Sequence, residues 1–275
     1  MRKTSFDKKY LFEELDRLAT EISERVNLTM IGGGGLIFYG LKDATKDLDV
    51  VLENSEEISV LVDSLKNLGY RPLSLVEISR PYRKMEAHNL ENRDGFRWDI
   101  FDRLVCNRLA LSNEMKSRGT DFYNRGPLKV MLASKEDIFL FKGITERETD
   151  LDDMRLLAES GLDWEIIEQE CHNQSVSSGI LWENALYQRL IDLRDKHGIE
   201  APIEKSIRTT LEEKLNEITL TDAIKQGNRT IRTISQAIEE PEYFVRKSLK
   251  KMVDKGLIEI DRSHRPYRFH LICTR

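Results

Sequence analysis

Two aspartates two residues apart, Asp47 and Asp49 in the stretch Thr45-Lys-Asp-Leu-Asp-Val-Val-Leu52, are the residues best placed to do chemistry. On an extended segment alternate side chains share a face, so both carboxylates would point the same way. Hard oxygen ligands in such a pair suit Mg2+ or Mn2+. Two such ions about 3.5–4 Å apart can activate an attacking hydroxyl and stabilise a leaving oxygen in an in-line displacement. A third carboxylate on a neighbouring strand would complete the clamp. Asp99, in Phe96-Arg-Trp-Asp-Ile-Phe-Asp102, is the natural candidate, because apolar neighbours bury its strand while its own carboxylate can face a cleft; Asp102 falls on the opposite face by parity. An isolated Asp-x-Asp is common on protein surfaces, and this one gains weight from its surroundings. Gly32, Gly33, Gly34 and Gly35 stand upstream, between a strand candidate at 28–31 and the apolar run 36–39. That order reads as strand, tight glycine turn, helix, a place where backbone N–H groups approach an anion such as a triphosphate closely. Gly32 and Gly33 fill the turn, which leaves Gly34 and Gly35 as packing glycines.

These residues need a scaffold, and the hydrophobic spacing supplies one. Leu11, Leu15, Leu18 and Ile22 recur at four, three and four, predicting an amphipathic helix over 6–25. Residues 48–52 read as a buried strand, 56–68 as a helix and 71–78 as a further strand. The turn-rich 91–95 separates 82–90 from 96–105 as a β-hairpin, which puts Asp99 on a strand. A short strand is expected at 130–132. Ser134 is a good cap for a helix over 136–144, and the chain to about 217 is mostly helical. Three short helices at 218–225, 231–238 and 241–255, then strands at 257–260 and 267–272, have the order of a winged helix-turn-helix.

Composition narrows the class. A chain of 275 residues has a prior of two domains, and 40% apolar with 33% charged residues is globular rather than disordered. No apolar stretch approaches the roughly 20 residues of a membrane span, so no membrane partner is expected. Cys106, Cys171 and Cys273 are odd in number and lack Cys-x-x-Cys spacing, which argues against a disulfide framework and fits a reducing cytoplasm. The five histidines show no metal-ligand pairing and read as structural; Trp98 and Phe101 read as core. Charge is uneven: residues 229–275 hold eleven Lys/Arg against six Asp/Glu, a net +5, which leaves −10 on residues 1–228. An acidic body suits metal and a basic tail suits phosphate. Arg246, Lys247 and Lys250 on the third tail helix, with Arg265 at the hairpin, are the candidate nucleic-acid contacts. A winged helix used for protein contacts or dimerisation is the competing reading.

The pattern Gly-Gly…Gly…Thr-x-Asp-x-Asp with a later strand aspartate resembles the polymerase-β-like nucleotidyltransferase superfamily, in particular members related to the AbiEii and MenT toxins. The resemblance covers roughly residues 25–160 and includes the helical block from Asp137 through Lys142 to Arg147, Asp150 and Asp153. It implies that Gly32 and Gly33 form the nucleotide loop, that Thr45 belongs to the approach turn, and that Asp47, Asp49 and Asp99 bind Mg2+ or Mn2+. It also implies that Lys142 meets the nucleotide phosphates, supported by Arg147, with Asp150 and Asp153 fixing that helix or pairing with Lys142.

The expectation is therefore an α+β protein. A small mixed-sheet nucleotidyltransferase core (1–160) precedes a helical connecting segment (161–217) and a winged helix-turn-helix domain (218–275). The expected activity moves a nucleotidyl group from a nucleoside triphosphate to a hydroxyl of RNA, protein or a small molecule, with a toxin-like role in view. The alternative is a DNA-binding regulator or antitoxin-like protein whose first domain senses a nucleotide. A homodimer is compatible with either.

Overall fold

Helix α1 (Lys8–Glu21) follows from the spacing of Leu11, Leu15 and Leu18, all wholly buried on one face, and from Asp7, whose carboxylate accepts the Tyr10 N–H at 2.9 Å. The computed structural model describes residues 5–74, 87–145 and 147–272 and divides the chain into two compact units, Met1–Glu204 and Lys205–Arg275. After α1 come β2 (Val26–Ile31), α2 (Gly32–Phe38), β4 (Asp47–Leu52) and α3 (Ser55–Asn67). They are followed by β5 (Arg71–Pro72), β6 (His88–Glu91) and β7 (Arg97–Asp102). Strands β1 (Phe6–Asp7) and β3 (Ala44–Thr45) pair with each other.

With β10 (Thr120–Arg125) and β11 (Leu128–Leu132), the main sheet has seven strands in the order β10-β11-β2-β4-β7-β6-β5. Its β11/β2 and β4/β7 pairs are parallel and the others antiparallel, the expected mixed sheet. Leu28, Met30, Leu48, Val50, Leu52, Trp98 and Ile100 join Leu11, Leu15 and Leu18 of α1 and Ile58, Leu61 and Leu65 of α3 in one core. Because strand side chains alternate, packing residues 48, 50 and 52 and residues 98 and 100 into that core turns 47, 49 and 51 and 97, 99 and 101 to the other face. The core thereby decides which face carries the acids.

The rest of the first unit comprises the hairpin β8 (Leu104–Val105) and β9 (Leu109–Ala110), α4 (Asn113–Arg118) and the helices α5 (Lys135–Gly143), α6 (Glu148–Glu159), α7 (Trp164–Ser178) and α8 (Trp182–His197). Ser134 caps α5 as expected, its hydroxyl accepting the Asp137 N–H at 3.1 Å. Arg118 ties α4 to α5 and α7 through Asp137 (2.6 Å) and Glu170 (2.7 Å), both buried. Helices α7 and α8 pack on α5 and α6, so the first unit continues to Glu204, whereas the sequence placed boundaries after 160 and 217.

Helix α9 (Glu204–Lys225) is continuous, and the helix expected to begin at 218 is its last part. Leu215 and Ile218 are exposed in its middle, which interrupts the apolar period, yet no Gly or Pro breaks the turn. The second unit continues with α10 (Ile231–Ile238), α11 (Glu242–Asp254), and the antiparallel β12 (Ile258–Asp261) and β13 (Arg268–Leu271). Its own core is Leu220, Ile224, Ile234, Val245, Leu249, Met252, Ile258 and Phe269.

Strand β7 stops at Asp102, earlier than expected, because Arg103 adopts φ 59° and turns the chain into β8. The expected strand 71–78 is seen at Arg71–Pro72, and residues 75–86, with part of the expected hairpin arm, lie outside the described residues.

Candidate active site

Parallel pairing of β4 with β7 sets Asp47 opposite Arg97 and Asp49 opposite Asp99, four charged side chains on one face of two adjacent strands. Asp99 is almost wholly buried (1% exposed). Asn89 of β6, its register partner, donates from Nδ2 to Asp99 Oδ1 at 2.5 Å. Arg97 Nη2 lies 2.8 Å from the other oxygen, Oδ2, and 2.5 Å from Asp47 Oδ2. Sequence reasoning missed Arg97 and Asn89. Parity alone would have put Arg97 beside Asp99, but Asn89 needed the register.

Asp49 explains the first glycine. A Cβ at Gly32 would stand 2.0 Å from Asp49 Oδ2, and Gly32 has φ +62°, so both close approach and backbone conformation demand glycine. A Cβ at Gly33 would lie 2.7 Å from Thr45 Oγ1, which makes buried Thr45 a packing partner of the glycine run. Gly34 and Gly35 are tight against Leu48 Cδ1 (2.5 Å) and Ile138 Cδ1 (2.7 Å), the packing role expected of them. The separate glycine turn does not exist: Gly32 is already the first residue of α2, and the run is the helix itself.

Burial pushes the Asp49 carboxyl up to about 8, aided by repulsion from Asp47 and Asp99. Burial also raises Asp99, to about 6, against the opposing pull of Arg97 and Asn89. A raised acid has a definite consequence for stability. From about pH 4 to about pH 8 the folded chain keeps a proton on Asp49 that the unfolded chain has released, so stability falls as pH rises across that window. In EDTA, Asp49→Asn has no such proton to lose. Its thermal midpoint is expected to gain on wild type progressively from pH 5 to pH 8, as read by circular dichroism melts; a constant difference would refute the shift.

A shallow cleft opens beside Asp49 and Gly32, with Phe101, Cys106, Lys142 and Arg147 among its walls. Phe101, read as core, lines this cleft because it shares the parity of Asp99. Burial holds the Cys106 thiol up to about 12, so it stays protonated. Lys142 is buried, with its ammonium 3.1 Å from Asp150 Oδ1 and 2.7 Å from Asp153 Oδ2. Burial alone would lower its pKa, but the two aspartates outweigh it and the net shift is upward, so Lys142 stays charged. Arg147 (2.8 Å) and the Thr145 hydroxyl complete the shell of Asp150, and Lys42 holds Asp153 at 2.7 Å. Of the two roles the sequence allowed Asp150 and Asp153, pairing with Lys142 is the one observed.

The first unit thus brings Gly32, Gly33, Thr45, Asp47, Asp49, Asp99 and Lys142 to one region. Arg246, Lys247, Lys250 and Arg265 belong to the second unit. There Val245, Leu249 and Met252 bury one face of α11, leaving Arg246, Lys247 and Lys250 exposed. Lys251 and Lys255 turn instead to Glu213 (2.7 Å) and Glu217 (2.6 Å) of α9. Arg265 is exposed, its guanidinium 4.7 Å from the Tyr267 ring.

A mixed sheet with paired acids on adjacent strands and a glycine-led helix against one of them defines a nucleotidyltransferase-like domain. The chain belongs to the family described as nucleotidyltransferase of unknown function (DUF6036), whose model matches residues 9–194. That span ends within the last turn of α8 and leaves the second unit outside it. No curated protein matches the chain. Among the described residues no helix is long and apolar enough to cross a membrane.

Proposed function

We propose that the first unit transfers a nucleotidyl group from a nucleoside triphosphate to a hydroxyl of RNA, protein or a small molecule, using Mg2+ or Mn2+. The observation that carries this reading is the register of β4 with β7, which puts Asp49 opposite Asp99 with Asp47 on the same face. The donor set fits a hard cation: three carboxylates share one face, and burial together with repulsion from Asp47 and Asp99 raises the Asp49 carboxyl, a charge that a bound cation would offset. Asp47 and Asp49 would hold both ions and Asp99 one of them. Bound there, the metal would supply Lewis-acid stabilisation of phosphate charge.

In the transfer, the acceptor oxygen bonds to the α-phosphorus, the bridge to the β-phosphate breaks, and pyrophosphate leaves. The hydroxyl proton passes to a carboxylate, for which Asp99 is suited by its raised affinity for protons. The N–H groups of Gly32 and Gly33, at the start of α2, would be the backbone donors to the phosphates. Lys142 contributes positive charge to the cleft wall while remaining paired with Asp150 and Asp153. Incubation with each α-labelled nucleoside triphosphate, followed by analysis of RNA, protein and small-molecule fractions, tests the reading and identifies the acceptor.

The second unit supports a second activity, nucleic-acid binding as a winged helix-turn-helix, which alone would suffice for the regulator or antitoxin-like reading. Tyr243, 76% exposed, shares a stripe of α11 with Arg246, Lys247 and Lys250 at helical spacing. Such a stripe suits a phosphate backbone and positions without specifying sequence. The double variant Arg246→Ala/Lys250→Ala is expected to weaken DNA binding and to flatten the plot of log affinity against log salt by about two units, read by fluorescence anisotropy. An unchanged slope would remove these residues from the interface.

A further inference from the structure

The carboxylate face already contains a cation. One nitrogen, Arg97 Nη2, reaches Asp47 Oδ2 at 2.5 Å and Asp99 Oδ2 at 2.8 Å, bridging carboxylates from two strands. Register and parity put it there: Arg97 stands opposite Asp47 and two residues before Asp99 on the same face. Asp99 Oδ1 accepts from Asn89, while Oδ2 has no aligned hydrogen bond and is held only by the charge of Arg97 at 2.8 Å. A divalent ion needs carboxylate oxygens at about 2.0–2.2 Å. The point between Asp47 and Asp99 that would offer them is where the guanidinium nitrogen sits. Two cations of like charge cannot share it. In keeping with this, among the described residues no three His, Cys, Asp or Glu side chains converge on a metal position as they stand.

We propose that Arg97 is an internal counter-ion that a divalent cation must displace before it can engage Asp47 and Asp99 together, so that this arginine sets the metal affinity of the site. The proposal rests on the metal reading given above. Arg97 neutralises the face when no metal is bound, and its charge-assisted hydrogen bond to Asp47 and its ion pair with Asp99 are lost when metal enters. The side chain is long and 21% exposed, so it has a route to solvent. Apparent affinity is reduced by the fraction of molecules in which the arginine has withdrawn.

The test is a Mn2+ titration of the full chain, with free ion followed by its electron paramagnetic resonance signal. Four proteins are compared: wild type, Arg97→Met, Arg97→Lys and Asp49→Asn. The expected result is that Arg97→Met binds Mn2+ at least about tenfold more tightly than wild type, the scale of one charge-assisted contact. Its metal-free thermal midpoint should also be lower. Arg97→Lys, which keeps the charge on a shorter arm and so holds the two carboxylates less closely, should fall between the two and carries the test if Arg97→Met does not fold. Affinity equal to or weaker than wild type in the Arg97 variants, with wild-type binding abolished by Asp49→Asn, overturns the proposal and leaves the metal reading intact. If neither wild type nor the Arg97 variants bind Mn2+, or if Asp49→Asn binds as wild type does, the metal reading fails and this proposal with it.

Discussion

Asp99→Asn is expected to lower nucleotidyl transfer by at least about 10³-fold while the protein stays folded. The substitution keeps the shape and leaves a group that can still accept from Asn89 or Arg97, so the packing around β7 survives. It removes a negative charge that the proposed metal and the acceptor proton both require. Several kcal/mol of charge stabilisation is what a bound metal supplies, and about 4 kcal/mol corresponds to a factor of 10³. Single-turnover transfer from an α-labelled triphosphate reads the effect, with a melt to confirm the fold. Retention of more than a tenth of the wild-type rate would remove Asp99 from the catalytic set.

Lys142→Met is expected to act first on stability. Its ammonium is enclosed by Asp150 and Asp153, both buried, and a thioether of similar length leaves two carboxylates without their shared partner. Breaking a buried pair from one side costs about 3–5 kcal/mol. Here the lower end applies, because Arg147 and Lys42 still reach the two carboxylates. Urea unfolding of the variant should therefore show a loss of about 3 kcal/mol. A loss under about 1 kcal/mol would mean that the ion pairs contribute little net stability. Activity then separates the roles. If Asp150→Asn/Asp153→Asn restores stability to Lys142→Met without restoring transfer, the lysine also serves the nucleotide.

The acids were legible from the sequence because they obey strand parity, and parity survives folding: Leu48, Val50, Trp98 and Ile100 are apolar and go to the core, so Asp47, Asp49 and Asp99 go elsewhere. The glycines were only half legible. Their number announced a close approach, but that Gly32 meets Asp49 and Gly33 meets Thr45 depends on how α2 lies beside β3 and β4. Strand β10 and helix α4 escaped notice for another reason. The edge strand Thr120–Arg125 has no fully buried side chain and α4 has Met115 alone, so neither leaves a hydrophobic period to read. Arg97 shows the other limit. A charged residue at the first position of a strand is easily taken for a solvated one, and only the pairing of β4 with β7 reveals that it bridges two of the proposed metal ligands.

The most direct test of nucleotidyl transfer follows two labels at once, one on the α-phosphate and one on the γ-phosphate of each nucleoside triphosphate, with Mg2+ or Mn2+ and with EDTA as control. The expected result is α-label in an acceptor and γ-label in pyrophosphate, both abolished by EDTA and by Asp49→Asn. Passage of the γ-label to the acceptor, or a wild-type protein that moves neither label and binds neither Mn2+ nor any triphosphate, would contradict it.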